Sequence, residues 1–551
     1  MTVNFIKLQE RFWLVLSSTI LFAILVAAVR WALGHPYAIH WDEAAYFDTV
    51  QLDLRRLTQG NLLRLAGRIL LKDWGRPPAY RILSLPVFAV AGFHPFVARL
   101  VSLACFSVAS WFVYKAAGRI ASPVAGAISV LVFALSPEVL AASMFFGTDT
   151  SIYLATAATL YYVFACWTGD SELRSNWIGL GLALGLGFLS KPSFAVIALP
   201  IFAYWWALDR WGHLELPKLN SRRKAAALAL VIAAPWWLLR IKSVFTYVQF
   251  ARGDVRNSLG PPGFATWLRW LNTVVQCLLG HGVSILIALV VISCLVKVLV
   301  SKEAIASSLQ KAALGACVCA GAPLVLAQLS GTNHLLRHIS PAIIPLAIIV
   351  GVLVDSNGWA YSWKWSGVFS TLFCAQLLMI LYPVVFPNKT TVGLGYANGF
   401  LPWRVFVQFD QWDWRPVRDL GNACDLASPN ISYLGNGREF DEPQIEYPWY
   451  TQKAEIPDVK WLWRFEDGPL DWQKVMDAAG KSDFVLTAPQ FAGEATYMEN
   501  LDNQHNAEFA ARLSQDPRFR LPIRLEMGRF EPIEVNVFLQ RSLVCRLAQP
   551  N

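Results

Sequence analysis

Phe12–Leu33, FWLVLSSTILFAILVAAVRWAL, carries a single ionisable residue, Arg30, close to its end. A helix that crosses a bilayer needs about 20 mostly apolar residues, so this stretch is long enough to span. It exceeds the apolar core of a signal peptide and has no evident small-residue cleavage site, which makes it a retained anchor. Working outward, similar stretches recur at Pro95–Ala116, Ser122–Ala141, Thr150–Trp167, Trp177–Leu189, Pro192–Leu208 and Ala225–Ile241. They continue at Gly282–Val298, Ala312–Leu329, Ile339–Val354 and Trp365–Val385, giving about eleven spans. Pro78–Gly92 and Phe264–Leu279 are short or interrupted, and either lie along the interface or raise the count to about 13.

The composition agrees with this reading. Of 551 residues, 55% are hydrophobic and 15% charged, with 24 Trp, far more apolar than an ordinary globular chain. The formal charge of +9 is spread over helix ends and loops instead of one basic segment interleaved with aromatics, so anionic lipid, not nucleic acid, is the expected partner. From about Asn388 the apolar runs stop. Residues 388–551 form a pattern suited to a soluble α/β domain, with strands at Asn430–Leu434, Asp483–Thr487 and Ile533–Val537 and a helix at Ala507–Ser514. Gly435-Asn436-Gly437 is a turn signal without the third glycine of a dinucleotide fingerprint, so no nucleotide site is expected there. The fold class expected is therefore a polytopic α-helical membrane protein over residues 1–387 followed by a C-terminal soluble α/β domain.

Short basic loops fix the orientation. Arg210, Lys218, Arg222, Arg223 and Lys224 fill one loop; Lys115 with Arg119, and Lys297, Lys302 and Lys311, mark two others on the same side. That side is cytoplasmic, Lys7 and Arg11 agree, and an odd number of spans leaves the tail outside. Of nine Cys, only Cys424 and Cys545 fall in the tail, where they could pair if it faces an oxidising compartment; their sequence separation does not decide this.

On the outer face this topology collects Asp42 and Glu43 after the first span, Arg76 before Pro77-Pro78, Asp149 opening a span, Lys191 between two spans, and Arg337-His338 opening another. Ionisable groups gathered at one membrane level suit a substrate that carries an anion and a hydroxyl nucleophile. Each has a plainer alternative: a solvated loop start for Asp42-Glu43, a helix cap for Thr148-Asp149, snorkelling for Lys191, and headgroup binding for Arg337-His338.

The segment His40-Trp41-Asp42-Glu43-Ala44-Ala45-Tyr46 resembles the first acidic motif of the GT-C glycosyltransferases, particularly the protein O-mannosyltransferase and aminoarabinose-transferase branch. Gly75-Arg76-Pro77-Pro78, Phe146-Gly147-Thr148-Asp149-Thr150, Gly187-Phe188-Leu189-Ser190-Lys191-Pro192 and His334-Leu335-Leu336-Arg337-His338-Ile339-Ser340-Pro341 keep that family's order, so the resemblance covers about residues 10 to 355. It implies a polyprenyl-phosphate sugar donor, an inverting transfer to a lipid, glycan or protein acceptor outside the cytoplasm, and a setting in the cell envelope such as a bacterial inner membrane. By the resemblance Asp42, in the external loop 34–77, is the general base and Glu43 orients it or the acceptor, while Asp149 positions the acceptor or a cation. Arg76, Lys191, Arg337 and His338 offset charge on the departing phosphate. The family often has Lys where Arg76 stands, and the basic residues expected in its later external loop have no clear anchor here, Arg252 or Arg256 being the candidates. No cofactor is required, and a divalent cation is the one further group this reading admits. The rival readings are a transporter or flippase of lipid-linked sugars, and an oligosaccharyltransferase or ligase with a pyrophosphate-linked donor.

Overall fold

The computed structural model describes residues 3–35, 41–71, 75–168, 174–211, 220–253, 263–297, 299, 307–330, 336–385, 412–437, 440–451, 456–464, 467–491, 501–528 and 532–546. The expected 387/388 domain boundary, His40, His334, Lys218, Lys302, Arg256 and the side chain of Arg252 lie outside these residues. The chain forms two compact units: Met1–Gly34 with Asp53–Val407, and His35–Leu52 with Gln408–Asn551.

The helices in chain order are α1 (Val3–Leu33), α2 (Trp41–Thr58), α3 (Leu62–Leu71), α4 (Ala79–Ala91), α5 (Pro95–Ile120), α6 (Pro123–Ala134), α7 (Pro137–Met144) and α8 (Asp149–Thr168). They continue as α9 (Arg174–Phe188), α10 (Phe194–Trp211), α11 (Asn220–Gly253), α12 (Phe264–Thr273), α13 (His281–Val296), α14 (Ser308–Leu329), α15 (Ile343–Ser356) and α16 (Trp363–Val385). Among the described residues five are long and apolar enough to cross a membrane, within α1, α5, α11, α14 and α16, or up to seven if each of two bent pairs is one span. The expected span Ser122–Ala141 is one of those pairs. Pro137 has no amide hydrogen and drives Ser136 to extended backbone, so α6 and α7 meet at 68°. Phe264–Leu279 forms the other pair with α13, bent by 108° at Gly280, whose φ of 76° suits a glycine. A helix such as α4, with 13 residues, reaches only about 20 Å against a hydrocarbon core of ~30 Å. A count beyond seven needs such shorter helices to cross as well.

Packing in this unit follows the sequence closely. Ser122 caps α6 ahead of Pro123, and every residue from Val124 to Ala134 is buried, so α6 is a core helix on all sides. On α9, a Cβ at Gly181 or Gly185 would come within 3.0 Å of Leu228 or Ile232, which is why α11 can approach so closely.

The second unit holds a five-stranded sheet made of β1 (Asn430–Tyr433), β2 (Asp458–Trp461), β3 (Phe484–Thr487), β4 (Ile523–Met527) and β5 (Ile533–Leu539). Its order is β2-β1-β3-β5-β4, parallel from β2 to β3 and antiparallel at β3-β5 and β5-β4. Alternation puts Phe484 and Leu486 with Ile431, Tyr433, Val535 and Val537 on one face. Val485 and Phe538 pack on the other face with Leu434, Phe509 and Leu513, the last two from helix α20 (Asn506–Gln515). Before it come α17 (Arg415–Ala423), α18 (Glu442–Thr451) and α19 (Trp472–Ala479). Cys424, at the end of α17, forms a disulfide with Cys545, beyond β5, and so closes a span of 121 residues.

Candidate active site

Just past the bend at Ser136-Pro137, in the first turn of α7, the first unit holds a deeply buried acid, Glu138, with 2% exposure. Asp149, the first residue of α8, lies within electrostatic reach of Glu138, as do Lys191 and Arg337. Tyr153, one turn along α8, faces Asp149, Glu138 and Arg337, and its hydroxyl shares a 2.6 Å hydrogen bond with Ser340 Oγ. Ser340 Oγ in turn donates to the Arg337 carbonyl at 3.0 Å, which holds the 3-10 turn Leu336–His338 in place.

Lys191 sits in the tight turn joining α9 to α10. The Ser190 amide donates to the Gly187 carbonyl and the Phe194 amide to the Lys191 carbonyl, both at 3.0 Å. A Cβ on Gly187 would collide with the Phe194 ring, so the turn closes this tightly only around glycine. The Lys191 ammonium is directed at Asp149 in an ion pair, with the two side chains 16% and 6% exposed. Snorkelling to the headgroups does not describe a lysine so paired, nor does capping alone describe Asp149.

Beside that turn runs Gly75-Arg76-Pro77-Pro78. Neither proline has an amide hydrogen, and the first amide after them, Ala79, donates to the Leu189 carbonyl at 2.7 Å. Gly75 has φ of 71°, and a Cβ there would lie 2.7 Å from Tyr247 Cβ on α11. The segment is thereby fixed between α11 and the Lys191 turn, with Arg76 half-buried. Tyr80 meets Phe146, three residues before Asp149, edge to face at 6.0 Å. Four sequence motifs, those of Arg76, Asp149, Lys191 and Arg337, thus come together in one unit, and His338 stands half-buried beside Arg337.

Asp42 and Glu43 occupy the first turn of α2 and belong to the second unit. A helix N-terminus favours negative charge. They are 1% and 0% exposed, so a solvated loop start does not describe them. Further along the same helix, Asp48 is buried near Glu446 and Glu442 of α18, with Phe47 tilted against Tyr447 at 6.1 Å. Burial, helped by the two glutamates, pushes the Asp48 carboxyl well above the usual carboxylate range.

Sequence reasoning missed Glu138, Tyr153 and Ser340. The signal for Glu138 was a carboxylate inside an apolar run, an expensive placement in a membrane unless it has a task. It missed also the pairing of Asp53, where α2 enters the first unit, with Arg81 of α4, which donates to both carboxylate oxygens at 2.6 and 2.8 Å. Arg68 adds a third contact at 3.1 Å, so this cluster braces α2, α3 and α4. Among the described residues no group of three or more His, Cys, Asp or Glu is placed to hold a metal ion.

Residues 75–238 match the dolichyl-phosphate-mannose-protein mannosyltransferase family. The whole fold is similar to that of ArnT from Cupriavidus metallidurans. In the apo state that structure gives a TM-score of 0.57 at 14% identity, covering 96% of this chain and 98% of that one. Bound to undecaprenyl phosphate it gives 0.54 at 13%, covering 95% and 98%. The arabinofuranosyltransferase AftD from Mycobacteria gives 0.53 at 13%, covering 96% of this chain and 40% of that one. No curated protein sequence matches the chain.

Proposed function

For a chain that is an integral membrane protein with the GT-C glycosyltransferase fold, we propose that it transfers a sugar from a polyprenyl-phosphate carrier to an acceptor hydroxyl outside the cytoplasm. The observation that carries the reading is the set of buried Asp149 and Glu138 with half-buried Lys191 and Arg337, and the Arg76 segment tied beside it. Cations held in a water-poor site bind a phosphate and stabilise the charge that grows on it as it leaves. A relative of the same fold binds undecaprenyl phosphate, which supports a lipid phosphate as the anion.

In the reaction the acceptor oxygen attacks the anomeric carbon from the face opposite the phosphate. The bond from that carbon to the phosphate oxygen breaks, the polyprenyl phosphate leaves with the electron pair, and the configuration inverts. Asp42 takes the hydroxyl proton, and Glu43 orients the acceptor or Asp42. Arg76, Lys191, Arg337 and His338 hold the phosphate, and Asp149 fixes Lys191. Residues 35–52 share a compact unit with 408–551, which supports the Asp42 turn and the C-terminal domain lying on one side of the membrane. The Cys424–Cys545 disulfide supports an oxidising, extracytoplasmic setting for that unit.

The test is purified protein in lipid nanodiscs with a panel of polyprenyl-phosphate sugars and lipid, glycan and peptide acceptors, scored by mass spectrometry. A new glycosidic product with release of polyprenyl phosphate is the result expected. Movement of lipid-linked sugar across the bilayer without bond formation overturns the proposal in favour of a transporter, and reaction only with pyrophosphate-linked donors points to a ligase.

A further inference from the structure

Glu138 is used by none of these steps. It is buried in a unit that lies in the membrane, and its Oε1 has no hydrogen-bond partner. The groups that face it are Asp149 and Tyr153 of α8, Lys191 in the α9–α10 turn, Arg337 in the turn that also bears His338, and Cys277 in the π-helical turn Val274–Leu279. Tyr153 and Cys277 are neutral when protonated. The two carboxylates, Glu138 and Asp149, thus face the same two cations, Lys191 and Arg337, that the phosphate would use.

A donor phosphodiester brings one more negative charge into this site. Like charges at close range cannot all stay ionised, and the carboxylate with the weaker countercharge takes the proton. Asp149 has Lys191 as its ion-pair partner, whereas Glu138 has an oxygen without a partner. We propose that Glu138 takes up one proton from solvent when the lipid phosphate binds and returns it when the phosphate departs, so that donor binding is coupled to protonation of this residue. The proposal rests on the donor-phosphate reading of Lys191 and Arg337. Glu138 acts as a positioning residue: it leaves the two cations to the phosphate and touches no reacting atom. Protonated, Glu138 and the phosphate share the field of Lys191 and Arg337 without repulsion; ionised, Glu138 competes with the phosphate for both.

The test is the affinity of full-length protein in neutral-lipid nanodiscs for undecaprenyl methyl phosphate, a phosphodiester that does not titrate between pH 6 and 9. With one coupled proton the Kd rises by up to about tenfold per pH unit above the midpoint of Glu138 in the free site. We expect wild-type Kd to be at least about tenfold weaker at pH 9 than at pH 6, with proton uptake seen calorimetrically in buffers of different ionisation enthalpy. Glu138→Gln should bind with the wild type's low-pH affinity at every pH and without proton uptake, while Glu138→Asp keeps the slope. His338→Gln should also keep it, since an imidazole gaining charge at low pH would give the same sign. A flat wild-type profile, a slope that survives in Glu138→Gln, or one that vanishes in His338→Gln overturns the proposal. No binding by wild type at any pH overturns the donor-phosphate site itself.

Discussion

The Lys191 ammonium is ion-paired with the Asp149 carboxylate, joining the turn after α9 to the first residue of α8. The pair fixes the cation without consuming it, because an ammonium has three donors and Asp149 occupies only part of them. Replacing Lys191 with Ala removes a proposed phosphate ligand and leaves Asp149 in a mostly buried place. Each charge-assisted contact is worth roughly 1.5 to 3 kcal/mol, so donor affinity should fall about one to two decades in Lys191→Ala and likewise in Arg337→Ala. Donor Kd in nanodiscs, with size-exclusion profiles to show that the variants fold, is the measurement. Unchanged affinity in both variants returns them to structural and lipid-binding roles.

Asp48 gives a stability prediction with a definite sign. Its folded carboxyl lies well above its ordinary value near 3.8 because of burial, with Glu446 and Glu442 adding to the effect. A group raised on folding supports the fold fully below its unfolded pKa, and that support is lost as pH rises through the folded value. The second unit of the wild type should therefore lose stability as pH climbs from about 4, by at most ~1.4 kcal/mol per unit. Asp48→Asn keeps the shape, carries no charge, and should unfold at a higher temperature than wild type at pH 8 but not at pH 4. Tm against pH for the two proteins checks this. Parallel curves would show that Asp48 does not titrate within the folded range.

The disulfide joins chemistry to topology. Breaking a native disulfide typically costs 2 to 5 kcal/mol, and closing 121 residues places this one toward the upper part of that range in the chain-entropy account. Cys424→Ser should lower the Tm of the second unit, and the effect should not add to that of Cys545→Ser. In intact cells a membrane-impermeant maleimide should reach these two thiols only after reduction, and should reach a cysteine placed at Asn61 directly. Labelling at Asn61 only after permeabilisation would reverse the orientation and remove the external site.

Much of this was legible because membrane helices announce themselves by length and hydropathy, and because a charge near an apolar run is costly enough to stand out. Arg76, Asp149, Lys191 and Arg337 stand out that way, and the fold brings them into one unit although they lie far apart in sequence. Glu138 was hidden by its own neighbours: within Ser122–Ala141 the apolar count suggested one span, and the Ser136-Pro137 break just ahead of the acid was read through. Asp53 and Arg81 are neutralised by each other, a pairing visible only once α2 and α4 are packed. Asp42 and Glu43 are buried and belong to the second unit, whose segments come from both ends of the chain. No local pattern encodes that.

The proposed chemistry depends most on Asp42. Asp42→Asn preserves the shape and nearly the volume of the side chain but removes its capacity to take a proton, so a general base should lose about a hundredfold or more in turnover while donor binding survives. The side chain is 1% exposed on the first turn of α2, so a structural role must be separated from a chemical one. Two readouts separate them: Tm and donor Kd should match wild type within error, while single-turnover product formation falls. Glu43→Gln, which keeps the proposed base, should retain more activity than Asp42→Asn and act mainly through acceptor KM. If Asp42→Asn turns over like wild type, the base is elsewhere, and Glu43 and Asp149 are the next acids to replace. If it binds no donor or unfolds, Asp42 holds structure instead of moving the proton.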